Sequence, residues 1–122
     1  MKNLKIIRND LSTFSLKVEL AQTDQDRMRG LMFRKDMPEN QGMFFIFDHN
    51  NQNPFWMKNT YLPLDILFID SSNRIVDIKA NAVPLSEELL FPKSEYKMVL
   101  EVNAGYTKRH GIKTGDQVIL EK

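Results

Sequence analysis

The chain of 122 residues contains no cysteine and only two histidines, His49 and His110. The lack of cysteine excludes disulfides, thiolate metal sites and thiol nucleophiles. With two histidines, a serine–histidine–aspartate triad or a zinc centre has too few residues from which to be built. We therefore expect no metal site and no cofactor.

An excess of charge of either sign is also absent. Seventeen Lys and Arg residues stand against sixteen Asp and Glu residues, which gives a net charge of +1. A protein that binds the phosphates of a nucleic acid normally carries a clear excess of basic residues. We therefore expect no nucleic-acid partner.

Long apolar runs are missing as well. The first ten residues, MKNLKIIRND, interrupt their apolar positions with charges and amides. A signal peptide or a membrane span needs an unbroken apolar core, so the sequence predicts a soluble chain with no signal peptide and no membrane insertion. Because a chain trimmed of a leader would look the same, the cellular compartment stays open, and so does the oligomeric state.

What remains is the composition of an ordinary globular protein, with 42% hydrophobic and 27% charged residues. A chain of this length can bury a sizeable core without disulfides or a structural metal. The sequence therefore predicts a single compact domain over residues 1–122.

Alternation of apolar and polar residues predicts most of the strands. Period two predicts half-buried strands over residues 14–20, 74–80 and 96–102. The residues expected to face inward from the last two are Val76, Ile78 and Ala80, and Tyr96, Met98, Leu100 and Val102.

Two further runs, MFFIF at 43–47 and DILFI at 65–69, are apolar at almost every position. Such runs are typical of central strands that are covered on both faces. The polar residues 71–73 after the second run predict a hairpin. With short strands at 4–7 and 117–120, the total is about seven, which indicates a mainly β fold, an antiparallel β-sandwich or distorted barrel.

Two short helices are expected to interrupt the strands. In TDQDRMRGLM, Thr23 can cap a helix whose residues Met28, Leu31 and Met32 would pack on the sheet. In NAGYTKRHG, Asn103 can cap a helix of about two turns that stops at a glycine. The irregular segment 82–94 between them is expected to form a flap over one end of the domain.

The segment FWMKNTYLPLD, residues 55–65, carries the most chemistry. Asp65 should lie at the rim of an apolar face, where a carboxylate needs a cation or hydrogen-bond donors. Lys58, Asn59 and Thr60 precede it by five to seven residues and could supply both. One interpretation is that Asp65 only ties down this loop, since buried polar networks are more often structural.

The other interpretation is a ligand pocket in which Trp56 supplies an apolar wall. A second polar cluster, RMRGLMFRK, would place Arg27 and Arg34 on one helical face with Gly30 between them, where the backbone can approach closely. Arg34 could bind a carboxylate, either that of a ligand or that of Asp65 itself. The second alternative is the more common use of such an arginine.

At these residues the chain resembles a family known as domain of unknown function 192. The resemblance lies in three ordered blocks, residues 18–47, 55–78 and 99–118, and includes the motifs GLM-x-R and FWMKNT-x-x-PLD. It implies a single compact β-rich domain and no established reaction. The positions of this chain that match recurring family positions are Arg29, Gly30, Leu31, Met32, Arg34, Gly42, Trp56, Met57, Lys58, Asn59, Thr60, Pro63, Leu64 and Asp65.

The chain departs from the family in two ways. Many relatives carry an export signal ahead of the domain, which would place them in the periplasm or outside the cell. Some have cysteines in the segment that matches residues 82–94, whereas this chain has none. A redox role that depends on those cysteines is therefore excluded here.

The leading hypothesis is a noncatalytic binding module. It would hold a small polar or anionic ligand in a pocket formed by residues 55–65 and 27–34. Its candidate ligand-binding residues are Arg29, Arg34, Trp56, Lys58, Asn59, Thr60 and Asp65.

Two alternatives stay open. One is an enzyme in which Asp65 and Lys58 form an acid–base pair and Arg34 binds an anionic group. The other is an accessory that binds a protein partner through an exposed strand edge or the 82–94 flap.

Overall fold

The computed structural model describes residues 1–122 and contains seven strands and two short helices. In chain order these are β1 (Lys2–Ile7), β2 (Thr13–Ala21), α1 (Asp24–Arg29), β3 (Gln41–Asn51), β4 (Leu64–Ile69), β5 (Ile75–Ala82), β6 (Tyr96–Asn103), α2 (Tyr106–Arg109) and β7 (Gln117–Leu120). The predicted mainly β fold with about seven strands and two short helices is confirmed.

All seven strands form one mixed sheet in the order β5-β4-β6-β3-β2-β1-β7, which curls into a half-barrel. Every neighbouring pair is antiparallel except β2 and β3, which are parallel and are connected through α1. The curl brings the two edge strands together at one corner, where Arg74 forms a bridge with Gln117. The predicted hairpin is present between β4 and β5, with Asn73 in the left-handed region at φ 67°.

The sheet buries apolar side chains on both of its faces. An inner core, enclosed by the curl, includes Leu16, Phe44, Leu67 and Leu100. An outer core on the opposite face consists of Ala21, Leu31, Met43, Phe45, Met57, Leu62, Leu64, Ile66, Phe68, Ala82, Tyr96 and Val99. All six residues of β4 are buried, as expected for a strand covered on both sides.

Two expected strand orientations are wrong in part, although Leu100 and Val102 of β6 face the inner core as expected. Tyr96 belongs to the outer core, whereas Leu100 and Val102 belong to the inner one. In β5, Ala80 is exposed and Asp77 is buried. Because β6 is covered on both faces, alternation alone did not indicate which of its residues reach the interior.

Helix α1 begins as predicted and ends early. Thr23 accepts a hydrogen bond from the backbone N–H of Asp26 at 3.0 Å, which is an N-cap. The helix stops at Gly30, whose φ of 49° lies outside the helical region. No residue of α1 is buried, and Met28 is 78% exposed, so the expected packing of Met28 on the sheet is wrong.

Helix α2 is capped from a distant part of the chain by Asp65, which is fully buried on the inner face of β4. Its carboxyl oxygens accept hydrogen bonds from Asn81 N (2.9 Å), Gly105 N (3.3 Å), Thr107 N (3.0 Å) and Thr107 Oγ1 (2.8 Å). The expected cap Asn103 instead donates to the carbonyl of Met37. Asp65 therefore fastens α2 to the sheet and satisfies N–H groups that the first turn of a helix leaves free.

We expect the Asp65→Asn variant to lose about 2–4 kcal/mol of unfolding free energy, since the amide turns an acceptor into a donor that faces buried N–H groups. Urea unfolding followed by circular dichroism measures this. Asp36→Asn is the matched control, because Asp36 is exposed, and it should stay within about 0.5 kcal/mol of the wild type. A loss below about 1 kcal/mol for Asp65→Asn would show that the network does not hold α2 in place.

Candidate functional site

A cleft of about 590 Å³ opens on the outer face of the sheet. One wall is the segment 24–32, which contains α1, and the opposite wall is the segment 53–56. The remaining lining comes from the second half of β3, from Thr60 and from two residues of β6, Tyr96 and Glu101. The volume is in the range of small-molecule sites in proteins.

Glycine makes the floor of this cleft possible. A Cβ atom on Gly30 would lie 3.3 Å from the ring of Phe45 and 3.8 Å from Oε1 of Glu101, at a positive φ that other residues rarely adopt. A Cβ atom on Gly42 would lie 2.5 Å from the backbone oxygen of Glu101. Gly30 therefore lets the end of α1 approach Phe45 and Glu101 at the floor of the cleft. Gly42 lets β3 approach the backbone of β6 at Glu101.

Glu101 lies at the floor of the cleft and is only 5% exposed. Its neighbours across the sheet are Met43 on β3 and Ile66 on β4, both apolar. None of the four ion pairs of the protein includes Glu101. Glu101 therefore lies between two apolar neighbours on the sheet and forms part of the cleft lining.

Burial raises the pKa of Glu101 to about 8. The cause is the loss of hydration in the charged form, and no hydrogen bond or neighbouring charge opposes it. Glu101 therefore holds its proton at neutral pH while the cleft is empty. Carboxyl groups with this property are concentrated at functional sites.

Aromatic rings form most of the apolar lining. Phe45, Phe47, Phe55 and Tyr96 contact one another edge to face, with ring centroids 5.4 to 6.3 Å apart. Trp56 lies beside them and is 40% exposed. Packed rings of this kind are held in place by their neighbours, so the wall is preformed.

Two arginines lie on the α1 side of the cleft. Arg27 donates to the carbonyl oxygens of Gln22 and Ile46, forms an ion pair with Asp24 at 2.7 Å and lies 5.3 Å from the ring centre of Phe47. Arg29 is exposed and takes part in no ion pair. Arg27 is therefore held in the wall by its contacts, and Arg29 is an exposed, unpaired charge of the cleft lining.

The structure brings three of the predicted site residues to the cleft, namely Arg29, Trp56 and Thr60. Lys58 is outside the lining and lies over the Trp56 ring, with its Nζ atom 5.1 Å from the ring centre. Asn59, at φ 56°, accepts a hydrogen bond from the backbone N–H of Phe33 through its carbonyl. Lys58 and Asn59 thus contribute to the loop that follows Trp56, outside the lining of the cleft.

The other two predicted residues, Arg34 and Asp65, are not brought together. Arg34 binds both carboxyl oxygens of Glu19, and this contact lowers the pKa of Glu19 below its ordinary value. Because the donors to Asp65 come from Asn81, Gly105 and Thr107, the expected contacts of Asp65 with residues 58–60 or with Arg34 are wrong. Since α1 ends at Gly30, Arg34 also does not continue the helical face of Arg27.

Sequence reasoning missed Glu101. Its neighbours Leu100 and Val102 suggested a strand with one wet face, and the glutamate fitted the wet side of that pattern. The signal that could have found it is the pair of central runs at 43–47 and 65–69, because β6 lies between β3 and β4. A strand between two fully covered strands is itself covered on both faces.

The rest of the surface has one smaller pocket worth describing. A smaller pocket of about 300 Å³ lies between β5 and the segment 83–90 and contains Met57 and Leu90. The expected flap joins the 55–60 loop through a bridge between Phe55 and Leu90. No group of three or more histidine, aspartate or glutamate side chains is gathered for a metal ion, and neither helix has the length and apolar character that a membrane crossing requires.

Comparisons with known proteins place this chain in a family. The family model DUF192 (Uncharacterized ACR, COG1430) matches residues 6–120. The chain belongs to the DUF192 family. No curated protein matches the chain.

Two solved structures resemble this DUF192 chain over nearly its full length. One is a protein of Sinorhizobium meliloti 1021 for which a role as a transcription regulator has been suggested. It is 42% identical, with a TM-score of 0.95 over 98% of this chain and 92% of the other. The second is a protein of unknown function from Novosphingobium aromaticivorans DSM 12444. It is 37% identical, with a TM-score of 0.91 over 96% of this chain and 83% of the other.

The raised pKa of Glu101 predicts that the stability of this DUF192 protein falls as the pH rises. The folded state holds a proton up to a pKa of about 8, whereas the unfolded chain releases it near the ordinary value of 4.5. The contribution of Glu101 is therefore fully present below the unfolded pKa and is lost as the pH rises through the folded pKa, at about 1.4 kcal/mol per pH unit within this window.

Urea unfolding at a series of pH values measures this slope. We expect Glu101→Gln to flatten it by up to about 1.4 kcal/mol per pH unit, because the neutral amide does not titrate. The exposed residue Glu87 offers the control Glu87→Gln, which should leave the slope unchanged. Equal slopes in the wild type and in Glu101→Gln would show that Glu101 is ionised in the folded protein.

Proposed function

We propose that the protein is a noncatalytic binding module that holds a small polar ligand in the cleft between residues 24–32 and 53–56. The observation that carries the proposal is the carboxyl group of Glu101, which is only 5% exposed, forms no ion pair and lines a cleft of about 590 Å³. A polar group that is buried without a partner normally costs stability. A ligand that supplies the missing partner would recover that cost.

The lining supports a small molecule over a macromolecule. Ligand pockets combine apolar and aromatic walls with a few polar groups that fix orientation, and this cleft has both. The aromatic wall and Thr60 offer contact area and a hydroxyl, and Arg29 offers a charge at the mouth. Binding would therefore be set by the shape of the wall and by the pairing of Glu101.

Arg34 and Lys58 were the two basic residues expected to bind an anionic ligand, and their positions in the structure give little support for such a ligand. Arg34 is already paired with Glu19, and Lys58 lies outside the lining, so Arg29 is the rim cation that could receive an anion. A role in transcription, as suggested for the Sinorhizobium meliloti protein, is not favoured for this chain either. Its net charge of +1 gives little attraction for nucleic acid.

The role is tested by screening a library of polar small molecules against the ¹⁵N-labelled protein. We expect binders to shift the Trp56 indole resonance and the backbone resonances of Gly30 and Thr60. The Trp56→Ala variant should weaken binding by about tenfold or more, because it removes a large part of the wall.

Tyr61→Ala is the matched control, since Tyr61 is 45% exposed and lies outside the cleft. It should bind as the wild type does. Shifts that are spread over other surfaces, or binding that Trp56→Ala leaves intact, would contradict the proposed site.

A second candidate is catalysis with Glu101 as a general acid, because a carboxylic acid with a pKa near 8 holds a proton that it can donate at neutral pH. This replaces the pair of Asp65 and Lys58, whose carboxyl group is fully engaged by other donors. Incubating the binders with the protein and following them by NMR separates the two roles. Turnover that Glu101→Gln abolishes would favour the enzyme, and unchanged ligands favour the binding module.

A further inference from the structure

The deep part of the cleft presents hydrogen-bond acceptors and few free donors. The Thr60 hydroxyl donates to the carbonyl of Lys58 at 3.2 Å, and the Tyr96 hydroxyl donates to the carbonyl of Asn53 at 2.7 Å. Tyr96 is fully buried, and the slightly exposed Thr60 hydroxyl can offer only lone pairs to a guest. Glu101 adds two carboxyl oxygens at the floor. This set complements a ligand group that donates several hydrogen bonds.

The charges of the cleft lining also favour a ligand that donates hydrogen bonds and carries a positive charge. On its walls, Arg27 and Arg29 are balanced by Asp24 and Asp48. Ionisation of Glu101 would therefore leave one uncompensated negative charge on a residue that is only 5% exposed. A ligand with one positive charge would make the occupied cleft neutral, which is the arrangement that burial favours.

The aromatic wall already receives cations from the protein itself. The Nζ atom of Lys58 lies 5.1 Å from the ring centre of Trp56, and the guanidinium carbon of Arg27 lies 5.3 Å from that of Phe47. Both distances are within the range of cation–π attraction. The rings thus provide the negative electrostatic surface that a cationic guest needs once water has been excluded.

We infer that the ligand of this cleft is a small organic cation, a primary ammonium on an apolar body, whose N–H groups bind Glu101 and Thr60. This inference rests on the proposed binding role and names the chemical class of its ligand. The apolar body lies against the rings, and the ammonium reaches the floor. Glu101 gives up its proton to solvent when the ammonium binds, and its carboxylate becomes the counter-ion.

Several charged or titratable groups face Glu101 or share its cleft. They are Asp24, Arg27 and Arg29 from the α1 side, Asp48 and His49 from β3, and Tyr96 from β6. The wall segment 53–56 and the neighbouring residue of β4, Ile66, contribute no charge. Burial raises the pKa of Tyr96, so its hydroxyl stays protonated near neutral pH. Histidine is a residue type that titrates near neutral pH, so His49 needs its own control.

Three probes of similar shape test the inference: 2-phenylethylamine, the neutral 2-phenylethanol and the anionic 3-phenylpropanoate. Isothermal titration calorimetry measures their affinities from pH 6 to pH 9. We expect the amine to bind most tightly, with a dissociation constant that falls by about tenfold per pH unit below pH 8 and then levels off. Titrations at pH 6.5 in two buffers of different ionisation enthalpy should show the release of about one proton per amine bound.

The variant Glu101→Gln should weaken amine binding by at least about thirtyfold and remove both the pH dependence and the proton release. A far-ultraviolet circular-dichroism spectrum equal to that of the wild type shows that the variant is folded. His49→Gln should keep the full pH dependence of the wild type.

The inference fails if the amine binds no more tightly than the alcohol or the acid, if its binding releases no proton, or if Glu101→Gln leaves its affinity unchanged. Binding of the alcohol or the acid at the cleft would then still support the binding role. If none of the three probes binds, the inference also fails, and the screen described above decides the binding role separately.

Discussion

Burial of the three central strands on both faces is the constraint on which the rest of the structure depends. β3, β4 and β6 lie between an inner core, enclosed by the curled sheet, and an outer core. At the buried positions of these strands a polar side chain cannot turn to solvent, whichever face it points to. It must find partners in the protein, change its protonation, or wait for a ligand.

Two carboxyl groups show the first and second of these outcomes side by side. Asp65 pairs with Val102 across β4 and β6, and Ile66 pairs with Glu101, so the two acids are one position apart on neighbouring strands. Asp65 faces inward and is satisfied by four donors, three of them at the start of α2. Glu101 faces outward and has no partner. The same sheet therefore holds one acid that serves the fold and another that is available for binding.

Much of the fold could be predicted from the sequence because it follows from local patterns. The runs 43–47 and 65–69 indicated central strands, and Thr23 indicated where α1 begins. The ends of elements were less predictable, since α1 stops where Gly30 must fit against Phe45, a contact between distant residues. The cap of α2 was missed for the same reason, because Asp65 is forty residues from Gly105 in sequence.

Part of the lining of the cleft could be predicted from the sequence. Its two walls come from the segments that carried the polar clusters, and Arg29, Trp56 and Thr60 lie where the hypothesis needs them. The pairing of individual charges could not be read from the sequence, because an arginine such as Arg34 can be neutralised by any acid that the fold brings close, here Glu19. Glu101 was missed because its environment depends on which strands flank β6, and this is a property of the topology.

The position of Trp56 has one more consequence, for spectroscopy. It is the single tryptophan of the chain, and it lies on the wall of the cleft with 40% of its surface exposed. Its indole fluorescence therefore comes entirely from the edge of the candidate site, where a guest would displace water from the ring. The protein thus carries an intrinsic optical reporter of occupancy, whose emission can be followed without any attached dye.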